Sequence, residues 1–190
     1  MEEQFISLKN RIWKSYKSRI NTAERLKKNH EFIAFLSIYY SAVLSAVSIL
    51  NFINKSQKME IFSIVLSVMV TILFLFFEGR NYKERYIKMK ENYNNLNLLF
   101  YEIDRIINSK KMSEENFKQI SEKYIKLLNS VENHLECDYI KYLIDEKGNF
   151  IESKKIIKYY FDKLCILGIK IIGFSIPTYF LGVALFQMIV

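Results

Sequence analysis

Three long apolar stretches constrain this chain more than anything else in it. Phe32–Ile53, Ile61–Phe77 and Ile171–Val190 contain no charged side chain. An α-helix rises about 1.5 Å per residue, so about twenty such residues match the hydrocarbon thickness of a bilayer. In a chain of 190 residues they leave two polar blocks, 1–31 and 78–170. One Pro and five Gly are too few for an all-β fold, which needs turns throughout. The chain therefore reads as an all-α integral membrane protein: a transmembrane hairpin, a C-terminal third span and a cytoplasmic antiparallel helical hairpin. Its expected parts are a cytoplasmic amphipathic helix over 1–31, a hairpin over 32–77 with spans 32–53 and 61–77, a helical module over 78–163, and a last span over 164–190. The first apolar stretch follows 31 polar residues and lacks a small-residue cleavage site, so it is expected to stay as an anchor.

The net charge is +8, and its distribution carries the topology. Block 1–31 holds eight Lys/Arg. Arg80, Lys83, Arg85, Lys88 and Lys90 follow the second stretch, and Lys154, Lys155, Lys158, Lys163 and Lys170 precede the third. The short loop 54–60 has only Lys55 and Lys58. This is the positive-inside pattern. It puts the N-terminus and 78–170 in the cytoplasm, and the loop and the C-terminus outside. Topology accounts for the charge, and no direct nucleic-acid binding is expected. Cys137 and Cys165 share no metal spacing with each other or with His30 and His134; unpaired, packed thiols are expected.

Outside the spans the periodicity is helical. Phe5, Leu8, Ile12, Tyr16, Ile20 and Ala23 make an apolar stripe with Trp13 beside it. That helix suits either anionic headgroups or a second cytoplasmic helix as its partner. Tyr82, Tyr86, Met89, Tyr93, Leu96, Phe100, Ile103 and Ile107 step by alternating fours and threes, a heptad seam. With only Gly79 interrupting, one helix from Ile61 to about Asn108 is expected, about 70 Å long. Asn108–Lys111 breaks it. Ser113, followed by Glu114 and Glu115, is a helix start. Phe117, Ile120, Tyr124, Leu127, Val131, Leu135, Tyr139 and Tyr142 then predict one returning antiparallel helix. A turn at Asp145–Asn149 with Gly148, and Ser153 as a cap, lead into the third span.

Catalytic chemistry has little support. No Gly-rich phosphate loop is present, and no Ser or Cys nucleophile has an evident base. The chain is not read as an enzyme, and no cofactor is expected. His30 stands alone at the headgroup edge. His134 lies between Glu132 and Asp138, which gives either a structural hydrogen-bond network or a metal or acid–base cluster.

The spans carry more signal. Ser37, Ser41, Ser45 and Ser48 share one face, extended by Asn51; Ser63, Ser67, Thr71 and Glu78 share another. Either these hydroxyls bond their own backbone and pack the hairpin, or they line a pore in an oligomer. Pro177, near Gly173, Ser175, Thr178 and Gly182, is a packing kink or a hinge.

At these residues the chain resembles a known family. Tyr16-Lys17-Ser18-Arg19-Ile20-Asn21-Thr22-Ala23-Glu24-Arg25-Leu26 precedes the serine-bearing span Leu36–Ile49. Lys83-Glu84-Arg85-Tyr86, Lys90, Tyr93, Leu96, Glu132-Asn133-His134 and Asp138-Tyr139 follow. Over about residues 10–145 this set resembles the SLATT family, SMODS/SLOG-associated two-transmembrane effector domains of bacterial conflict and anti-phage defence systems. Residues 146–190 fall outside that resemblance. It implies a homo-oligomeric, pore-forming or membrane-disrupting effector in the bacterial inner membrane, acting in abortive infection. The resemblance also implies a nucleotide-signalling, reverse-transcriptase or cyclase-type partner as the trigger. Arg19, Asn21, Arg25, Glu132, His134 and Asp138 would then be gating or packing positions, with Glu78 and Pro177 added from the spans. The alternative is a non-conducting anchor whose helical hairpin recruits a cytosolic partner.

Overall fold

The computed structural model describes residues 1–54, 57–147 and 152–189. Among them the chain forms helices only: α1 (Glu2–Asn54), α2 (Gln57–Glu78), α3 (Tyr82–Asn108), α4 (Glu114–Asn129), α5 (Glu136–Lys147) and α6 (Ser153–Ile189). Two compact units emerge, Met1–Lys27 with Lys83–Tyr159, and Lys28–Tyr82 with Tyr160–Val190. The expected loop 54–60 is shorter than predicted, because α2 already begins at Gln57; Lys55 and Ser56 lie outside the described residues, as do Gly148 and Asn149 of the expected turn and Val190 of the last span.

The first unit is built from the amphipathic start of α1 with α3, α4 and α5. Phe5, Leu8 and Ile12 of α1 meet Leu96, Leu99 and Ile103 of α3 and Ile120 and Tyr124 of α4. Lys9 pairs with Asp104, the Trp13 and Phe100 rings lie 5.0 Å apart, and Tyr16 faces Tyr93 at 6.2 Å. Rising numbers on α1 against falling numbers on α3 make the pair antiparallel. The α1 stripe thus packs on helices, which decides between the two partners its sequence allowed.

Two expected helices are broken. The single helix Ile61–Asn108 is interrupted at 79–81. Gly79 N–H bonds Leu75 O at 3.0 Å, Arg80 N–H bonds Phe77 O at 3.1 Å, and Asn81 N–H bonds Glu78 O at 2.9 Å. The last two are tightened turn bonds, and Asn81 then enters the left-handed region at φ 50°, which Asn tolerates better than most residues. The returning helix also splits: α4 ends at Asn129 and α5 begins only at Glu136.

Other local signals hold. Ser113 caps α4, its Oγ accepting from Asn116 N–H at 3.2 Å. After α3, Lys111 N–H reaches Ile106 O (3.2 Å) and Lys110 N–H reaches Ile107 O (3.1 Å), with Lys110 at φ 56°. That is a Schellman motif with Lys in the left-handed position usually given to Gly. At α6 the capping position falls on Glu152, whose carbonyl takes the Lys155 N–H at 2.9 Å; Ser153 is already inside the first turn. Asp145 belongs to α5 rather than to a turn.

The second unit contains the rest of α1 with α2 and most of α6. Val43, Val47 and Ala184 form its core, flanked by Tyr39, Leu50 and Leu181. Phe174 takes ring contacts from Phe32, Phe35 and Tyr39. The three apolar windows are only 11%, 11% and 6% buried, although each is long and apolar enough to cross a membrane. An apolar surface this extensive is not one that a water-soluble monomer leaves uncovered.

Candidate functional site

The serine row of α1 is a continuous track of hydroxyls. Ser37 Oγ donates to Ala34 O at 2.8 Å and Ser41 Oγ to Ser37 O at 2.9 Å. Ser45 Oγ donates to Ser41 O and Ser48 Oγ to Leu44 O, both at 2.8 Å. Each hydroxyl proton is therefore spent on the helix's own backbone, as one of the two readings of this row expected. Ser41, Ser45 and Ser48 are exposed, Ser37 is half-buried, and Asn51 is turned inward and buried. The α2 row behaves alike: Ser67 donates to Ile64 O and Thr71 to Ser67 O, whereas Ser63 is buried and Glu78 is the exposed last residue of α2. Pro177 is buried within an unbroken α6.

The second constellation sits in the other unit. Asp138, on the first turn of α5, is a hub with its side chain 4% exposed. Its oxygens accept from Arg25 Nε and Nη2 at 2.9 Å each, from Thr22 Oγ1 at 2.9 Å, and from Leu135 N–H at 3.1 Å. Asn21 Nδ2 adds a bond to Asp138 O at 3.0 Å. Lys141 to Glu24, at 2.6 Å, continues the α1–α5 seam. Burial opposes charge on Arg25, but its bond to Asp138 and the nearby negative groups outweigh it and leave its pKa raised.

Arg19 is the largest fully buried side chain. Its guanidinium donates to Asn92 Oδ1 and to the carbonyls of Leu127 (2.9 Å) and Leu128 (3.0 Å). Asn92 Nδ2 also holds Leu127 O at 2.7 Å and Ser130 Oγ at 2.8 Å. These side chains occupy carbonyls at the C-terminus of α4, where the helix leaves its last acceptors unmet and a positive charge is favoured. Together with Ser130 Oγ, which donates to Leu127 O at 3.0 Å, they meet the carbonyls that the end of α4 leaves without helical donors. Burial pulls the Arg19 pKa down, with Tyr124 opposing, yet a guanidinium stays charged at any ordinary pH.

The proposed cluster around His134 does not assemble. Glu132 is held by Arg85, its Oε2 2.7 Å from Arg85 Nη2, while Asp138 faces Arg25. Among the described residues no three His, Cys, Asp or Glu side chains are grouped to hold a metal ion. His134 is half-buried beside the Tyr139 ring at 6.0 Å. Burial lowers its pKa below 6.5, Asp138 pulling upward and Arg19 downward. Burial raises the Cys137 thiol, the opposite of what activates a nucleophile. Cys165 is free and exposed rather than packed.

Sequence reasoning named Arg19, Asn21, Arg25 and Asp138 but missed Thr22 and Asn92. Asn92 was detectable: it lies three residues after Met89 and four before Leu96, a polar side chain in register with a buried seam.

A family model described as SMODS and SLOG-associating 2TM effector domain family 5 (SLATT_5) matches residues 1–188. The match takes in α6, so the third apolar helix lies within the matched domain, and the narrower 10–145 extent is corrected. No curated protein matches, and no solved structure does.

Proposed function

Because this chain belongs to the SMODS and SLOG-associating 2TM effector domain family 5, we propose that it acts as a membrane effector that opens an ion-conducting path and depolarises the cell in abortive-infection defence. Several copies assemble in the bacterial inner membrane, with the N-terminus and residues 78–170 in the cytoplasm and the C-terminus outside. A nucleotide signal or a partner protein shifts the balance from closed to open assemblies, as any trigger must by favouring one state over the other. No reaction is catalysed.

One observation supports this most directly: the outward hydroxyl track Ser41–Ser45–Ser48 on the otherwise apolar second half of α1. Polar groups within a membrane helix normally face protein or water rather than lipid. In an assembly, that track lines the path, and three helices per copy are enough only if several copies contribute.

The test is membrane potential, read with a voltage-sensitive dye after induced expression, together with ion flux from liposomes holding the purified full chain. Wild type is expected to depolarise and to conduct. Ser41→Leu with Ser45→Leu is expected to assemble to the same size and to conduct nothing. An assembled wild type that passes no ions in liposomes containing its trigger would refute the pore and favour a non-conducting recruitment anchor. A conducting double variant would remove this face as the lining.

A further inference from the structure

Pro177 is the only proline in the chain, and it sits inside α6. A proline has no N–H, so the carbonyl four residues back loses its helical donor. That carbonyl is Gly173 O. In a bilayer core no water is present to replace the lost bond, and an unmet carbonyl there is costly. The structure supplies the missing donor from another helix: Tyr40 Oη of α1 donates to Gly173 O at 3.0 Å. The neighbouring Tyr39 does related work one turn on. Thr178 Oγ1 spends its proton on Phe174 O at 2.7 Å, so Tyr39 Oη is the donor in its 2.6 Å bond to Thr178 Oγ1. Two consecutive tyrosines thus hold α6 on both sides of its proline.

Pro177 lines an apolar gap with Tyr40, Val43, Val47, Phe62 and Phe180. Gly173 presents only hydrogen toward α1, where an added Cβ would stand 3.7 Å from Leu36 Cδ2. Leu36 packs against the glycine, and the adjacent Phe174 ring against Phe32, Phe35 and Tyr39, beside the point where the hydroxyl bridges the helices. Backbone groups freed by proline in membrane helices are commonly met again by neighbouring helices, and here the substitute donor sits on a side chain that can let go.

We propose that Tyr40 is the latch of a hinge in α6: its hydroxyl replaces the N–H that Pro177 lacks, and its release lets α6 bend at Pro177 as the effector opens. The link to opening rests on the pore-forming function proposed above; the latch itself does not.

The experiment uses the full chain in nanodiscs, with Cys137 and Cys165 replaced by Ser and spin labels at Ile49→Cys and Phe186→Cys. Both positions are exposed, on α1 and α6. Tyr40→Phe removes one hydroxyl and keeps the ring that packs on Phe74. Losing a donor to a buried carbonyl is expected to raise the population at a second α1–α6 distance by about tenfold. Pro177→Ala restores the backbone N–H, so Tyr40→Phe in that background is expected to change nothing. An unchanged distance distribution in the single variant overturns the latch. So does an equal shift with and without Pro177, since Tyr40 would then act elsewhere. If the Pro177→Ala protein does not fold, the single variant still decides. Ion flux is measured on the same variants reconstituted in liposomes with the trigger present: a shifted distance without flux keeps the latch and refutes the pore.

Discussion

Replacing Asp138 with Asn tests whether the α1–α5 hub holds the first unit together. The carboxylate accepts four hydrogen bonds from N–H and O–H donors, Arg25 twice, Thr22 and the Leu135 N–H, and a longer one from the Cys137 thiol. An amide of the same shape keeps one acceptor oxygen, turns two donors toward existing donors, and leaves Arg25 without its counter-charge. Breaking one side of a buried ion pair costs about 3–5 kcal/mol. Arg25 keeps 26% of its side chain in solvent, so water recovers part of the loss and the lower end, about 3 kcal/mol, applies. With a urea dependence of about 1.5 kcal/mol per molar, the midpoint falls by about 2 M. Trp13, the only tryptophan, reports on this unit: its Nε1 donates to Glu146 Oε1 at 3.1 Å, and its ring lies 5.0 Å from Phe100. Its fluorescence during urea unfolding of the full chain in detergent gives the midpoint. The companion Arg25→Met with Asp138→Leu removes both charges and is expected to lose less than Asp138→Asn alone, because no charge is stranded. A midpoint moving by less than about 0.5 M, or a double variant as unstable as the sum of its parts, refutes the hub.

The same fluorescence midpoint checks two further expectations. His134 is held below its ordinary pKa of 6.5 by burial, so the unfolded chain binds the proton first; stability is full above about 6.5 and drains away as pH falls from there toward the folded pKa. His134→Gln is expected to flatten the drop between pH 7.5 and 5.5, and equal drops in both proteins would exclude His134 as its source. Lys110 sits at φ 56° in the Schellman motif after α3, so Lys110→Gly is expected to stabilise by about 0.5–1 kcal/mol through relief of Cβ strain, and a destabilised variant would mean that the Lys side chain contributes more than its strain costs.

The spans were legible because absence of charge over twenty residues has one strong cause. Helix ends were legible where the signal is local: Ser113 before two glutamates, and Asn108–Lys111. The break at 79–81 escaped because one Gly in a helical pattern is tolerated, and the decisive residue is Asn81 in a left-handed conformation. The end of α4 escaped for a different reason. Val131 and Leu135 continue the apolar spacing, while the carbonyls of Leu127 and Leu128 are claimed from far along the chain by Arg19 and Asn92. No window of neighbouring residues contains that competition. The seam of α3 was read slightly rotated, since Asn92 and Leu99 are buried where Tyr93 and Phe100 were expected. The Tyr40–Gly173 bond was invisible for the same reason as the α4 stop: it joins residues 133 apart.

The first unit is discontinuous, Met1–Lys27 with Lys83–Tyr159, and this sets an order on biosynthesis. Phe5, Leu8 and Ile12 leave the ribosome first, yet their partners extend to Tyr124. At about 5–20 residues per second, the α1 stripe waits about 6–20 s for a complete core. Between the two halves lie both helices of the membrane hairpin. If only one of them crossed the bilayer, α3 would emerge on the opposite side from Phe5, and the core would have no way to close. Contact of Phe5, Leu8 and Ile12 with α3 and α4 therefore requires the intervening helices to return the chain to the side of the membrane it left.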